Sequence, residues 1–138
     1  MSERTSTVVT RMLERDAFSR WLGIEMLESS AGRCSLRMKV REEMLNGFGV
    51  GHGAIVFALA DSAMAFACNS SQFVTMAIDN SISYPAAVKL DDELVALAQE
   101  ESSTGKLAFY RVTVRRRDNA IVAIFRGTVY RTRQEHQE

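Results

Sequence analysis

The sequence predicts an α+β fold in which a curved antiparallel β-sheet wraps around one long central helix. Three observations predict it. From Ala54 to Cys68 the only polar side chains are Asp61 and Ser62, and a helix apolar on nearly every side needs cover on more than one face. Arg33 to Val40 alternates strictly, with Cys34, Leu36, Met38 and Val40 on one face and Arg33, Ser35, Arg37 and Lys39 on the other. That is the pattern of an antiparallel strand with one face buried. Strand candidates then follow the long helix one after another, with no intervening helices, so the sheet is antiparallel and the helices are segregated from it.

The elements follow in order. Thr7 to Leu22 has helical spacing, with Val8, Met12, Phe18, Trp21 and Leu22 able to share a broad face. Gly23 is a natural stop. Ile24 to Ser30 reads as a strand, turned at Ala31-Gly32 into the alternating strand from Arg33 to Val40. Arg41 to Gly51 is a loop with a short turn at Arg41 to Leu45. The buried helix runs from about His52 to Asn69. Four strands follow, at Val74 to Tyr84, Glu93 to Glu101, Lys106 to Arg116 and Ile121 to Arg133. Pro85, Asp91-Asp92, Ser103 to Gly105 and Asp118-Asn119 separate them. The polar tail, Gln134 to Glu138, is expected to fray. With no repeat or linker, residues 1–138 are expected to form a single domain.

Composition excludes several classes. Seventeen basic and seventeen acidic side chains cancel, so no global field recruits nucleic acid or a membrane surface. The first residues lack the apolar core of a signal peptide, and the helix around Asp61 is too short and interrupted for a membrane span. The two cysteines, Cys34 and Cys68, lie in apolar patterns, which suits reduced core thiols in a cytoplasmic protein. His52 and His136 are the only histidines. No metal site is expected, and Arg115 to Arg117 lacks the aromatic platform of a nucleic-acid surface.

Asp61 is the residue with chemistry to explain. A carboxylate in a buried helix must be paired, hydrogen-bonded or protonated, at a cost of several kcal/mol otherwise. It is either a structural, amide-held Asp or a working group, and buried carboxylates with perturbed ionisation favour active sites. The segment Asn46 to Gly53 holds four of the eight glycines and runs into the helix start. There the first amides lack partners and the helix dipole is positive. The loop is either a tight turn or an oxyanion hole for a carbonyl oxygen. It fits no phosphate-loop pattern. Gly53 and Asp61 are eight residues apart, roughly 12 Å along one helix. That is too far for both to touch one carbonyl, unless a second copy of the chain brings its own helix start to Asp61.

Asn46-Gly47, His52-Gly53, Phe57 to Asp61 and Ala65 to Asn69 resemble the hotdog-fold acyl-CoA thioesterases of the phenylacetate-pathway (PaaI) type, most specifically at Met44 to Gly47 and Leu59 to Asp61. Gly105-Lys106 and Ala123 to Gly127 also fit. The resemblance implies hydrolysis of an acyl-CoA, phenylacetyl-CoA or a hydroxylated relative, without cofactor or metal. Asp61 matches the catalytic carboxylate, as nucleophile or as general base. Gly53 matches the residue whose N–H polarises the thioester carbonyl. Asn46 matches the side chain that positions water or the carboxylate, and His52 a supporting histidine. The resemblance also implies homodimers pairing into homotetramers, with Asp61 from one subunit meeting Asn46, His52 and Gly53 of its neighbour. Three departures stand out: His52-Gly53-Ala54 stands where the family often has His-Gly-Gly, Ala77 replaces the Ser or Thr that helps hold water in some relatives, and Tyr84-Pro85 replaces an Arg-Pro pair. Lys89, Lys106 and Arg126 are the cations near strand ends that could meet CoA phosphates. The alternative activities are a hotdog acyl-CoA dehydratase or hydratase and a non-catalytic acyl-CoA-binding module.

Overall fold

The structure, a computed structural model, describes residues 3–137. Helix α1 (Glu3–Arg15) and helix α2 (Ala17–Leu22) lead into strands β1 (Glu25–Ser30) and β2 (Arg33–Lys39). A 3-10 turn (Glu42–Met44) precedes the long helix α3 (Gly53–Cys68). Strands β3 (Phe73–Ser83), β4 (Glu93–Ser103), β5 (Leu107–Arg116) and β6 (Ile121–Glu135) complete the chain. All six strands form one sheet in the order β1-β2-β4-β5-β6-β3, and every pairing is antiparallel. The α+β class and the hotdog arrangement read from the sequence are therefore present.

Helix α3 packs against β2, β4 and β5. It buries Ile55, Val56, Leu59, Ala60, Ala63, Met64, Phe66, Ala67 and Cys68, residues from most of its circumference. Leu36, Met38, Leu94, Val112, Val114 and Phe125 meet it from the sheet, each at most 1% exposed. Alanines on both layers, at 60, 63, 96 and 98, are fully buried and let helix and sheet approach closely. The turn residues Asp91 and Asn119 have φ of 70° and 71°, a left-handed conformation that Asp and Asn tolerate better than most side chains.

The N-terminal segment differs from the single helix expected over Thr7 to Leu22. The chain breaks at Asp16, with φ −88° and ψ 87°, and Asp16 caps α2 by accepting from the Ser19 N–H at 2.9 Å. A capping Asp satisfies an amide that a continuous helix would have used internally. The break also undoes the shared face: Phe18 and Trp21 are 56% and 49% exposed. They stack on each other at 6.1 Å, and Arg41 lies over the Trp21 ring at 5.2 Å. Arg41 further donates to the carbonyls of Trp21 (2.6 Å) and Leu22 (3.0 Å), closing the end of α2. The C-terminal tail is more ordered than expected: β6 runs to Glu135, and the His136 N–H donates to Gln72 O at 3.0 Å. Glu138 lies outside the described residues.

Candidate active site

The glycine-rich loop is built to present the start of α3. Asn46 closes it three ways. Its N–H donates to Val50 O (2.8 Å), its carbonyl accepts from Gly49 N (3.0 Å), and its side-chain Oδ1 accepts from Phe48 N (2.9 Å) and Val50 N (3.4 Å). Gly49 sits at φ +77°, and a Cβ on Gly51 would come within 2.9 Å of Val88. Both positions therefore need glycine. The loop ends where His52 N donates to Met44 O at 2.8 Å.

His52 is the N-cap of α3, and its Nδ1 accepts from the Ala54 N–H at 2.9 Å. That bond places the ring proton of the neutral tautomer on Nε2, on the exposed side. One amide earlier, the Gly53 N–H has no carbonyl within the helix to meet. Tyr84 covers this corner: its hydroxyl donates to Gly53 O at 2.9 Å. Asn46, His52 and Gly53 are thus assembled at one end of α3, where the Gly53 N–H and the exposed imidazole edge have no hydrogen-bond partner among the described residues.

Asp61 lies two turns further along the same continuous helix, so the separation of roughly 12 Å holds. It is half-buried on the wall of a groove of about 420 Å³ that also meets Met12, Met64, Val74, Ala77 and Val129. Burial pushes its carboxyl above the usual carboxylate range, and the nearby charge of Asp16 adds to the effect. The Asn80 amide donates to Asp61 Oδ1 at 3.5 Å. Its neighbour Ser62 meets Ser19 (Oγ to Oγ 2.9 Å), whose hydroxyl donates to Asp16 Oδ2 at 2.6 Å. Ala77 lines the same groove as Asp61.

The three candidate phosphate contacts do not converge. Lys89 borders a cleft of about 520 Å³ with Arg116, Arg117, Asp92 and Asp118. Lys106 precedes β5, at the opposite end of the strand from Arg116. Arg126, in β6, pairs with Glu101 at 3.0 Å. Asp16, Asn80 and Tyr84 were not singled out from the sequence. Asp16 carries a local signal, an Asp three residues before Ser19 in an N-cap spacing. Asn80 and Tyr84 reach the site only through the pairing of β3. Among the described residues no cluster of His, Cys, Asp or Glu could hold a metal ion, and no helix is long and apolar enough to cross a membrane.

One antiparallel sheet wrapped around a long helix that carries a half-buried carboxylate on a mostly apolar groove is the arrangement of a hotdog-fold hydrolase of thioesters. The thioesterase superfamily model matches residues 48–123, and the chain belongs to that superfamily, among its hotdog-fold acyl-CoA thioesterases of the PaaI type. It is 32% identical over 131 residues to the acyl-coenzyme A thioesterase PaaI of Escherichia coli, covering 95% of this chain and 94% of that protein. It is 30% identical over 115 residues to human acyl-coenzyme A thioesterase 13, covering 81% of this chain and 82% of the relative. Among solved structures, the E. coli PaaI protein from the phenylacetic acid degradation operon superposes with a TM-score of 0.94, at 30% identity and 97% coverage of both chains.

Proposed function

We propose that this thioesterase hydrolyses small aromatic acyl-CoA esters, phenylacetyl-CoA or a ring-hydroxylated relative, to the free acid and CoA. The observation that carries the reading is Asp61: a half-buried carboxyl, held above its ordinary pKa, on a mostly apolar groove. At about 420 Å³ the groove falls within the usual range of small-ligand sites, about 300–1,000 Å³. Its Met and Val walls suit a flat ring. The likeness to PaaI supports the aromatic assignment.

In this reading residues 1–138 act as one domain, and two copies complete each site. Asp61 of one copy attacks the thioester carbonyl carbon, or takes a proton from water that attacks it. The Gly53 N–H of the second copy stabilises the oxyanion. Asn46 and His52 of that copy hold the loop and the helix start in place through the bonds described above. The tetrahedral intermediate collapses with loss of CoA thiolate, a leaving group good enough to need no strong acid; on the nucleophilic route this leaves an acyl–Asp61 anhydride, which water then hydrolyses to release the free acid and restore the carboxylate. Lys89, Lys106 and Arg126 remain separate candidates for the CoA phosphates. The assembly is a homodimer, paired further into a homotetramer. Buried, reduced Cys34 and Cys68 and balanced charge suit the cytoplasm.

A panel of acyl-CoA esters, read by release of free thiol, tests the assignment. Phenylacetyl-CoA or its hydroxylated analogue should show a higher kcat/KM than acetyl-CoA or palmitoyl-CoA, because a fitted ring adds transition-state binding that acetyl lacks. Palmitoyl-CoA as the best substrate would sink the aromatic assignment, and thiol release from none of the esters would sink the reading as a whole.

A further inference from the structure

We infer that Asn80 is a positioning residue for the Asp61 carboxylate: β3 is bulged so that the Asn80 amide faces α3 and holds Asp61 through Nδ2. The inference rests on the catalytic reading of Asp61 given above.

The argument starts in the strand. Along β3, Thr75 pairs with Arg131, Met76 with Tyr130 and Ala77 with Val129, but the next partner, Thr128, faces Asp79. Ile78 is the extra residue. A strand alternates its side chains, so one extra residue exchanges the two faces of everything after it. Before the bulge, the odd positions turn inward: Thr75 is buried and Ala77 pairs with the buried Val129, whereas Met76 is 59% exposed and Ile78 60%. After it, the even positions turn inward: Ile82 packs against the core and Asn80 reaches Asp61. Without the bulge, Asn80 would share the outer face with Met76.

The surroundings fix the amide in place. Asn80 pairs across the ladder with Gly127, and a Cβ there would lie 2.8 Å from Asn80 Oδ1 and collide with Met64. Glycine at 127 leaves the room that the amide and Met64 occupy. Asn80 Oδ1 is buried and accepts no hydrogen bond among the described residues. A buried carbonyl without a donor is unfavourable, and turning the amide over would point that carbonyl at Asp61 instead. The carboxylate therefore sets the amide's orientation. The Nδ2 to Oδ1 distance of 3.5 Å is long, as such bonds often are before substrate binds. The other titratable groups around Asp61 are Asp16 at the start of α2, Cys68 on α3 and His136 after β6, which lines the same groove. The Asn80 amide is the group that donates a hydrogen bond to the carboxylate.

Asn80→Leu keeps the side chain's shape and removes both the donor and the orphaned carbonyl. The full-length variant should fold at least as stably as the parent. With phenylacetyl-CoA, or the best ester of the panel, kcat should fall about tenfold, the size of a lost bond to a charged acceptor, with KM within about twofold. The acid limb of the kcat/KM profile should move to higher pH, because the ionised carboxylate has lost its donor. Asn80→Ala, which only deletes atoms, should do the same if the leucine misfolds. On an Asp61→Asn background neither change should lower activity further, since residues acting as one unit are non-additive. A wild-type kcat and acid limb in a folded variant, or an equal loss on the Asp61→Asn background, would overturn the inference while leaving Asp61 in its role. Full activity of Asp61→Asn itself would overturn both.

Discussion

The Tyr84 hydroxyl donates to the carbonyl of Gly53 at 2.9 Å, and the same ring end occupies the space a Gly53 side chain would need. One residue of the β3 exit thus both braces the first peptide of α3 and crowds any side chain placed on it. Gly53 is a glycine here because of its neighbour, since its backbone is ordinary helix.

Gly53→Ala follows directly. An added Cβ would sit 3.2 Å from Tyr84 Cζ and Oη, so either the ring or the helix start must yield by a few tenths of an ångström. Displacing an oxyanion donor costs catalysis steeply, and about a tenfold drop in kcat is expected. Combining it with Tyr84→Ala should recover part of the loss, because the obstruction is gone. A double variant no better than Gly53→Ala would show that Tyr84 is not the obstruction.

Asp61→Asn should lower kcat by ~10²-fold or more, the range of a lost base or nucleophile. Stability should change in the opposite direction. Burial first, and the Asp16 charge second, raise the folded-state pKa of Asp61. A carboxyl raised in this way disfavours the ionised form, so its contribution is most favourable below the ordinary Asp value and is lost as pH rises through the folded value. At pH 7 the amide variant should therefore melt at a higher temperature than the parent. Near pH 3, where Asp61 is protonated in both states, that advantage should shrink. A variant less stable than the parent at pH 7 would contradict the sign.

A mixing experiment checks whether two copies share each site. Asp61→Asn and Gly53→Pro, each inactive alone and each shown to fold, should recover activity when their subunits exchange. One of the two sites in a mixed dimer then has both an intact Asp61 and an intact Gly53 amide. Proline removes that N–H outright. Exchange without recovery would argue that each site belongs to a single chain.

Arg41→Ala should destabilise the chain by about 1–3 kcal/mol, through two lost bonds to the α2 carbonyls and the lost contact with Trp21. Arg41→Lys should recover little, because a single ammonium cannot span both carbonyls while lying flat on the indole. The midpoint of urea unfolding measures both. A midpoint unchanged in Arg41→Ala would mean that α2 is held without the clamp.

The sequence shows α3 almost to the residue, because the run from Ala54 to Cys68, polar only at Asp61 and Ser62 and bounded by His52 and Asn69, reads as a buried helix. Strict alternation likewise located β2, and turn residues such as Asp91 and Asn119 separated the later strands. The break at Asp16 was less visible, since apolar spacing continues across it and hides the cap. Phe18 and Trp21 look like core residues by spacing, but the break turns them outward. The bulge at Ile78 has no local signature at all: it exists only in the pairing of β3 with β6. Asn80 and Tyr84 owe their places to that pairing, so a reading along the chain finds Asp61 and Gly53 but not the residues that hold them.

The groove that holds Asp61 is also lined by Cys68, and this matters for an enzyme whose product is itself a thiol. A reactive cysteine exposed to a thiol product is open to forming a mixed disulfide with it under oxidation. Exchange and oxidation both proceed through the thiolate. Burial, foremost, pushes the Cys68 thiol up to about 12, and its Sγ is turned to donate to Ala65 O at 3.5 Å. At pH 7 only about one thiol in 10⁵ is then ionised. The packing that seats α3 against the sheet therefore also keeps the Cys68 thiol on this groove in its unreactive, protonated form.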